Sequence, residues 1–134
     1  MAKIIAIEGI GDVYAAKLQE QGIKTTEQLL EKTATAKGRK ELAEALDVSE
    51  KLVLNWANRA DLFRIKGIGE EYSDLLEAAG VDTVPELAQR NPDNLHKKLL
   101  EVNAEKKLVR RPPSAKQVAS WVAQAKELPR VLTY

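Results

Sequence analysis

A short pattern that could bind an anion occurs twice in this chain of 134 residues. Residues 7–11 read Ile-Glu-Gly-Ile-Gly, and residues 65–69, 58 positions later, read Ile-Lys-Gly-Ile-Gly. Each pattern opens a predicted helix, and the first backbone N–H groups of a helix attract phosphates and carboxylates. The pattern therefore predicts two candidate phosphate sites, at Gly9, Ile10 and Gly11 and at Gly67, Ile68 and Gly69.

The similarity between the two copies extends well beyond these glycines. Between residues 7–30 and 65–88, 9 of 24 aligned positions are identical, where ordinary amino-acid frequencies would give roughly one or two. The closing helices align 65 residues apart instead of 58, with Trp56 over Trp121, so the second copy contains extra residues. The sequence thus predicts two repeats, 1–64 and 65–134, with a basic insertion at 103–113. Leu-Pro-Arg-Val at 128–131 also resembles Leu-Phe-Arg-Ile at 62–65, which suggests the start of a third copy.

Nearly every segment has a helical pattern, so we expect an all-α fold in which the two tandem repeats pack as one compact unit. Thr25 and Gln28 have the spacing of a capping box, and Trp56 and Trp121 are predicted core anchors of their repeats. Predicted helices cover residues 12–21, 25–32, 39–46, 49–63, 70–79, 94–102 and 114–128, with a short helix containing Pro85 in the second copy.

The residue inventory argues against several classes of function. There is no cysteine, and His96, expected on a helix surface, has no second histidine or cysteine to complete a metal site. A nucleophilic triad is equally absent, so the sequence predicts no catalytic residue, no metal site and no enzyme. No signal peptide precedes the repeats and no apolar run approaches the length of a membrane span. We therefore expect a cytoplasmic protein without a membrane partner.

Two resemblances follow from these motifs. The pattern Ile-x-Gly-Ile-Gly-x-x-x-Ala-x-x-Leu at residues 7–18 resembles the helix-hairpin-helix motif, and residues 65–76 match it with Ser73 in place of alanine. Over nearly its whole length the chain also resembles the bacterial domain of unknown function 4332 family. That resemblance rests on Gly-Arg-Lys-Glu-Leu-Ala at 38–43, Ala-Asp-Leu-Phe-Arg-Ile-Lys-Gly-Ile-Gly at 60–69 and Glu-Leu-Ala-Gln-Arg-Asn-Pro at 86–92.

The resemblances imply more about fold than about activity. The family implies tandem helix-hairpin-helix units and no particular activity. The broader hairpin class implies that backbone N–H groups of the hairpin bind DNA phosphates without reading base sequence. It also implies that a monovalent cation sometimes sits at the hairpin carbonyls, and no other cofactor is expected.

Charged neighbours make the two candidate phosphate sites unequal. Glu8 and Asp12 place carboxylates where a phosphate would arrive at the first turn. The second turn has a favourable Lys66, followed by Glu70 and Glu71. Acidic residues suit the positive end of a helix dipole whether or not a ligand binds. We therefore interpret the first turn mainly as a folding element and retain the second, with Lys66, as the stronger candidate.

Basic residues are concentrated towards the C-terminus. Residues 1–95 contain 12 lysines and arginines against 17 aspartates and glutamates, whereas residues 96–134 contain 9 against 3. A flexible, soluble loop would have the same composition. No aromatic residue interrupts the basic run, which argues against stacking on single-stranded bases. The candidate phosphate contacts are Lys97, Lys98, Lys106, Lys107, Arg110, Arg111 and Lys116.

A second DNA-binding pattern overlaps the first repeat. Residues 42–56 resemble a helix-turn-helix, in which a recognition helix at 49–59 would offer Lys51, Asn55 and Arg59 to bases. Any two helices that meet at an angle produce the same pattern, so specific base reading is the weaker interpretation.

Two functions of different classes remain open. The leading hypothesis is a non-enzymatic protein that binds nucleic acid weakly, through the sugar-phosphate backbone and without sequence preference. The alternative is a protein-interaction or scaffold module in which the hairpins are structural only and the basic loop binds an acidic protein partner. The sequence leaves the oligomeric state open.

Overall fold

The computed structural model describes residues 3–7 and 9–134, and over these residues the chain is all-α. The predicted fold class is confirmed: the described residues form no strand, and one isolated bridge pairs Lys3 with Thr25. A 3₁₀ turn at Ile4–Ala6 precedes the α-helices. These are α1 (Asp12–Glu20), α2 (Thr26–Thr33), α3 (Ala36–Leu46), α4 (Glu50–Leu62), α5 (Glu70–Ala78), α6 (Val84–Ala88), α7 (Pro92–Lys106) and α8 (Ala115–Glu127).

Side-chain caps explain where most of these helices begin. Thr25 and Gln28 form the reciprocal capping box that their spacing predicts. Because Thr35 caps α3, this helix begins at Ala36, ahead of the predicted Arg39. The six capping residues are Thr25, Thr35, Ser49, Thr83, Asn91 and Ser114.

The basic insertion differs most from its predicted form. The sequence predicts a helix over 94–102, but α7 continues to Lys106, so residues 103–106 are helical and are not part of a loop. The helix ends where Lys107 adopts a left-handed conformation with φ +52°. Its N–H donates to the carbonyl of Asn103 at 2.8 Å, which closes the last turn.

The described residues divide into two compact units. Unit 1 comprises Met1–Phe63 with Arg130–Tyr134, and unit 2 comprises Arg64–Pro129. The division after Phe63 falls one residue before the predicted boundary. The sequence predicts the last five residues in the second repeat, or as the start of a third, but they belong with unit 1. The reason is that Leu132 is buried in its core and the N–H of Thr133 donates to the carbonyl of Ala34 at 2.8 Å.

A tryptophan lies at the centre of each unit, as predicted. Trp56 on α4 is 1% exposed, and its ring packs against Tyr14 with centroids 5.3 Å apart. Trp121 on α8 is 2% exposed and packs in the same way against Tyr72, with centroids 5.2 Å apart. Within unit 1, α4 packs on α2 and α3; within unit 2, α8 packs on α6 and α7. The last helix of each unit is therefore its central helix.

Close approach of two helices explains Gly38 in unit 1. Gly38 lies in the first turn of α3 and donates its N–H to Thr35 Oγ1 at 3.1 Å. A Cβ at Gly38 would overlap the backbone carbonyl of Lys32 near the end of α2. This position therefore has no space for any side chain.

Gly38→Ala is expected to lower the free energy of unfolding by about 1–3 kcal/mol, the usual cost of overpacking. In an open helix the same substitution would instead stabilise by up to about 1 kcal/mol, so the sign of the change tests the contact. Urea denaturation followed by tryptophan fluorescence measures it. Lys37→Ala, at the exposed neighbouring position, is the control and should change stability by less than about 0.5 kcal/mol. Equal stability of the two variants would contradict the contact.

Candidate nucleic-acid interface

The second Gly-Ile-Gly turn lies directly before α5 and rests on Trp121. Gly67 has φ +97°, a conformation that L side chains rarely adopt, and a Cβ there would lie 3.0 Å from Trp121 Nε1. Ile68 is buried, and its N–H donates to the carbonyl of Ile65 at 3.2 Å. This arrangement leaves Gly69 exposed at the start of the helix.

The first Gly-Ile-Gly turn has the same construction above Trp56. Gly9 has φ +92°, and a Cβ there would lie 3.7 Å from Trp56 Nε1, a buried atom with no hydrogen-bond partner in the described part of the chain. Ile10 is buried, and its N–H donates to the carbonyl of Ile7 at 3.1 Å. Glu8, whose carboxylate is predicted to oppose a phosphate here, lies outside the described residues.

The helix N-termini that follow the two turns are uncapped. Among the described α-helices, only α1 and α5 begin without a side-chain cap, since Gly11 and Gly69 occupy the capping positions. The first N–H groups of these helices have no intrahelical acceptor and can therefore bind an external one. Asp12, Glu70 and Glu71 are exposed in the same first turns. These carboxylates interact favourably with the positive end of the helix dipole, and they would repel a phosphate at the same place.

Sequence reasoning missed Gln124, which binds the backbone immediately before Gly67. Its Oε1 accepts from the N–H of Lys66 at 2.9 Å, and its Nε2 donates to the carbonyl of Lys66 at 3.2 Å. The Lys66 N–H is thus already used, whereas the Lys66 side chain is exposed. The one signal in the sequence is the position of Gln124 on α8, one turn after Trp121 and so on the same helix face.

The basic segment after α7 is fixed by a single buried amide. The N–H of Val109 donates to Asn103 Oδ1 at 2.9 Å, and Asn103 Nδ2 donates to the carbonyl of Val109 at 3.1 Å. Both residues are buried, whereas Lys107, Arg110 and Arg111 are exposed. The segment therefore presents its cations from a hydrogen-bonded turn.

This basic segment lies against the beginning of α5. The Tyr72 hydroxyl, in the first turn of α5, donates to the carbonyl of Arg111 at 3.1 Å. Because the Tyr72 ring also packs on Trp121, one tryptophan supports both the turn and the residue that binds the basic segment. A shallow groove beside this contact is lined by residues that include Glu71, Lys107, Leu108, Arg110 and Pro112.

The remaining predicted cations are exposed at other places in unit 2. Lys97, Lys98 and Lys106 lie on α7 and Lys116 lies on α8. Within the described residues, none of the four lines the groove. The structure therefore places Lys107 and Arg110 in one groove with Glu71 of α5 and binds the backbone of Arg111 to Tyr72. The other four predicted cations do not line this groove.

The three candidate side chains of the predicted helix-turn-helix differ in their exposure to solvent. α3 and α4 pack against each other and are joined through Asp47, which has φ +56°. Lys51 and Asn55 are exposed on α4, whereas Arg59 is half-buried. A recognition helix here would therefore present two of the three predicted residues.

Two backbone carbonyls at the second turn, where a cation would bind, already accept hydrogen bonds. The carbonyls of Ile65 and Lys66 accept hydrogen bonds from Ile68 and Gln124.

His96, predicted on the surface, is half-buried with Nε2 3.0 Å from the carbonyl of Pro113. Over residues 3–7 and 9–134 there is no group of three or more His, Cys, Asp or Glu placed to bind a metal.

Comparison with known proteins agrees with the family that the motifs indicated. The family model described as Domain of unknown function (DUF4332) matches residues 8–128. No solved structure matches the chain. In the described part of the chain, no helix combines the length and apolar character needed to cross a bilayer.

The contact between glycine and tryptophan predicts a graded response to alanine in the two turns. Gly9→Ala should cost about 1–2 kcal/mol of unfolding free energy for the left-handed backbone alone. Gly67→Ala should cost more, about 2 kcal/mol or above, because the Trp121 indole must also shift. Urea denaturation of the two variants beside the unsubstituted chain measures both costs.

Gly69→Ala is the matched control in the same turn. Gly69 has φ −115°, and a Cβ at this position would have no atom within 4 Å, so only the weaker capping preference of alanine applies and we expect a cost of about 1 kcal/mol or less. If the Gly67→Ala and Gly69→Ala variants were equally stable, the claim that Trp121 leaves no space for a side chain at position 67 would be wrong.

Proposed function

The chain belongs to the family described as domain of unknown function DUF4332, and we propose that it is a non-enzymatic protein that binds nucleic acid weakly through the sugar-phosphate backbone. In this proposal the two Gly-Ile-Gly turns are the hairpins of tandem helix-hairpin-helix motifs, and the protein acts in the cytoplasm. One observation carries the proposal: the basic segment is hydrogen-bonded to the first turn of α5, at Tyr72, beside an uncapped helix N-terminus.

The second turn supplies the phosphate contact. The free N–H groups at the start of α5, after Gly69, approach one phosphate oxygen, and the exposed Lys66 side chain adds a cation. Arg110 and Arg111 neutralise neighbouring phosphates. Contacts to phosphates position a nucleic acid and carry no base information, so binding is independent of sequence. Glu70 and Glu71 in the same turn keep the affinity low.

The first turn makes a lesser contribution. Gly9, Ile10 and Gly11 form an equivalent turn before an uncapped helix in unit 1. Asp12 is exposed in that first turn, and the inserted basic residues belong to unit 2. We therefore assign the first turn chiefly to folding, with a secondary phosphate contact.

The absence of catalytic chemistry is part of the proposal. The chain contains no cysteine and one histidine, and the Nε2 of His96 lies 3.0 Å from the Pro113 carbonyl. With one histidine and no cysteine, the chain has few of the residues from which nucleophilic triads are built. This inventory supports a binding role.

A protein-interaction role is the second candidate, favoured by the composition of the groove beside α5. Leu108, 39% exposed, and Pro112 line it together with Lys107 and Arg110. Apolar and cationic groups in one groove match an acidic segment that carries an apolar side chain. In this case both Gly-Ile-Gly turns are structural only.

Fluorescence anisotropy with labelled duplex and single-stranded DNA, titrated over salt, tests the proposed function. Binding should weaken steeply as salt rises. Arg110→Ala combined with Arg111→Ala should reduce the slope of log affinity against log salt by about two, because two phosphate contacts are lost. Lys66→Glu, made separately in the unsubstituted chain, should also weaken binding at every salt concentration.

Matched substitutions in unit 1 separate a local contact from a general charge effect. The double substitution Lys37→Ala with Lys40→Ala also removes two positive charges, from exposed positions on α3. Lys24→Glu reverses one exposed lysine charge in unit 1, as Lys66→Glu does in unit 2. These controls should leave the salt slope unchanged. Absence of binding at low salt, or equal losses in the controls, would refute the proposal. Binding of an acidic peptide by a chain that does not bind DNA would establish the second candidate.

A further inference from the structure

The last five residues of the chain are attached to unit 1 by one buried side chain. Leu132 is 3% exposed within the core of that unit, and Val131 packs partly against the same core. Arg130, Thr133 and Tyr134 are exposed. Leu132 is therefore the one fully buried side chain of the segment, with Val131 half-buried beside it.

The main chain of the segment is bound as well. The Thr133 N–H donates to the carbonyl of Ala34 at 2.8 Å, and Arg39 Nη2 donates to the carbonyl of Thr133 at 2.7 Å. The Thr133 hydroxyl adds a contact to the Ala34 carbonyl at 3.2 Å. Main-chain hydrogen bonds beside a side-chain pocket are the general means by which proteins bind extended peptides.

Arg39 is the central group of this surface. It is 6% exposed, and its Nη1 donates to the carbonyl of Thr33 at 2.9 Å, at the end of α2. The same guanidinium lies over the Tyr134 ring, 5.5 Å from its centroid. Arginine is rarely buried without partners. Here Nη1 donates to a carbonyl of unit 1's α2 and Nη2 donates to a carbonyl of the C-terminal segment. A lysine has one ammonium group in place of this planar pair of donors and cannot reproduce the geometry.

We propose that this surface of unit 1 is a binding site for an extended peptide segment and that residues 130–134 are its resident ligand. The site takes a leucine as anchor and binds the main chain of the next residue through Ala34 and Arg39. Because a single side chain is buried, the segment separates from unit 1 in a local opening, without unfolding of the rest. This inference does not depend on nucleic-acid binding.

The test supplies the segment as a separate peptide, Arg-Val-Leu-Thr-Tyr, to the full chain carrying Leu132→Asp. Chemical-shift titration of the isotope-labelled protein measures its affinity. The peptide should bind this variant at least tenfold more tightly than the unsubstituted chain, where the tethered segment has an effective concentration on the order of millimolar. Arg39→Lys in the same variant should weaken binding at least tenfold. The peptide with aspartate in place of leucine is the control and should not bind.

A folded Leu132→Asp variant that binds the peptide no better than the unsubstituted chain would overturn the proposal. If circular dichroism shows that this variant does not fold, Thr133→Pro replaces it, because it removes the N–H donated to Ala34 and keeps Leu132. Amide hydrogen exchange of the unsubstituted chain is a further test. The Thr133 amide should exchange at least tenfold faster than core amides such as that of Val53, and equal protection would refute local opening.

Discussion

In each unit, the contact on which the rest of the structure depends lies between a buried indole and a left-handed glycine. Trp56 under Gly9 and Trp121 under Gly67 both come from the last helix of their unit and contact the turn that precedes its first helix. The same indoles pack against Tyr14 and Tyr72. A tryptophan thus fixes three things together: the turn, the start of the next helix and the aromatic residue in its first turn. Gly11 and Gly69, at the two uncapped helix starts, are exposed, whereas the isoleucine between the two glycines of each turn is buried.

Much of this scaffold could be predicted because its determinants are local. The spacing of Thr25 and Gln28 specifies a capping box, and a repeated glycine before a helical pattern specifies a tight turn. The paired positions of Trp56 and Trp121 identify the central helix of each repeat. Such features depend on contacts within a few residues or on the comparison of one copy with the other.

The candidate site was harder to predict because its geometry depends on amides whose partners are not evident from composition. Asn103 and Gln124 each bind both main-chain groups of another residue, at Val109 and Lys66. From composition alone the basic run has the character of a flexible loop. One carboxamide turns it into an ordered turn beside α5. The burial of Leu132 in unit 1 could not be predicted for a similar reason. The next residue, Thr133, binds the carbonyl of Ala34, which lies far earlier in the chain.

The balance of charge at α5 determines what kind of binding such a site can support. Screening limits electrostatic interactions to about 10 Å at 0.1 M salt, so the charges closest to a bound phosphate have the largest effect. The groove contains Lys107 and Arg110 together with Glu71, and Glu70 is exposed in the same first turn of α5. In the proposed function these opposite charges nearly balance, so no single contact gives a high affinity. The proposal therefore requires several phosphate contacts acting together, and contacts of this kind carry no base information.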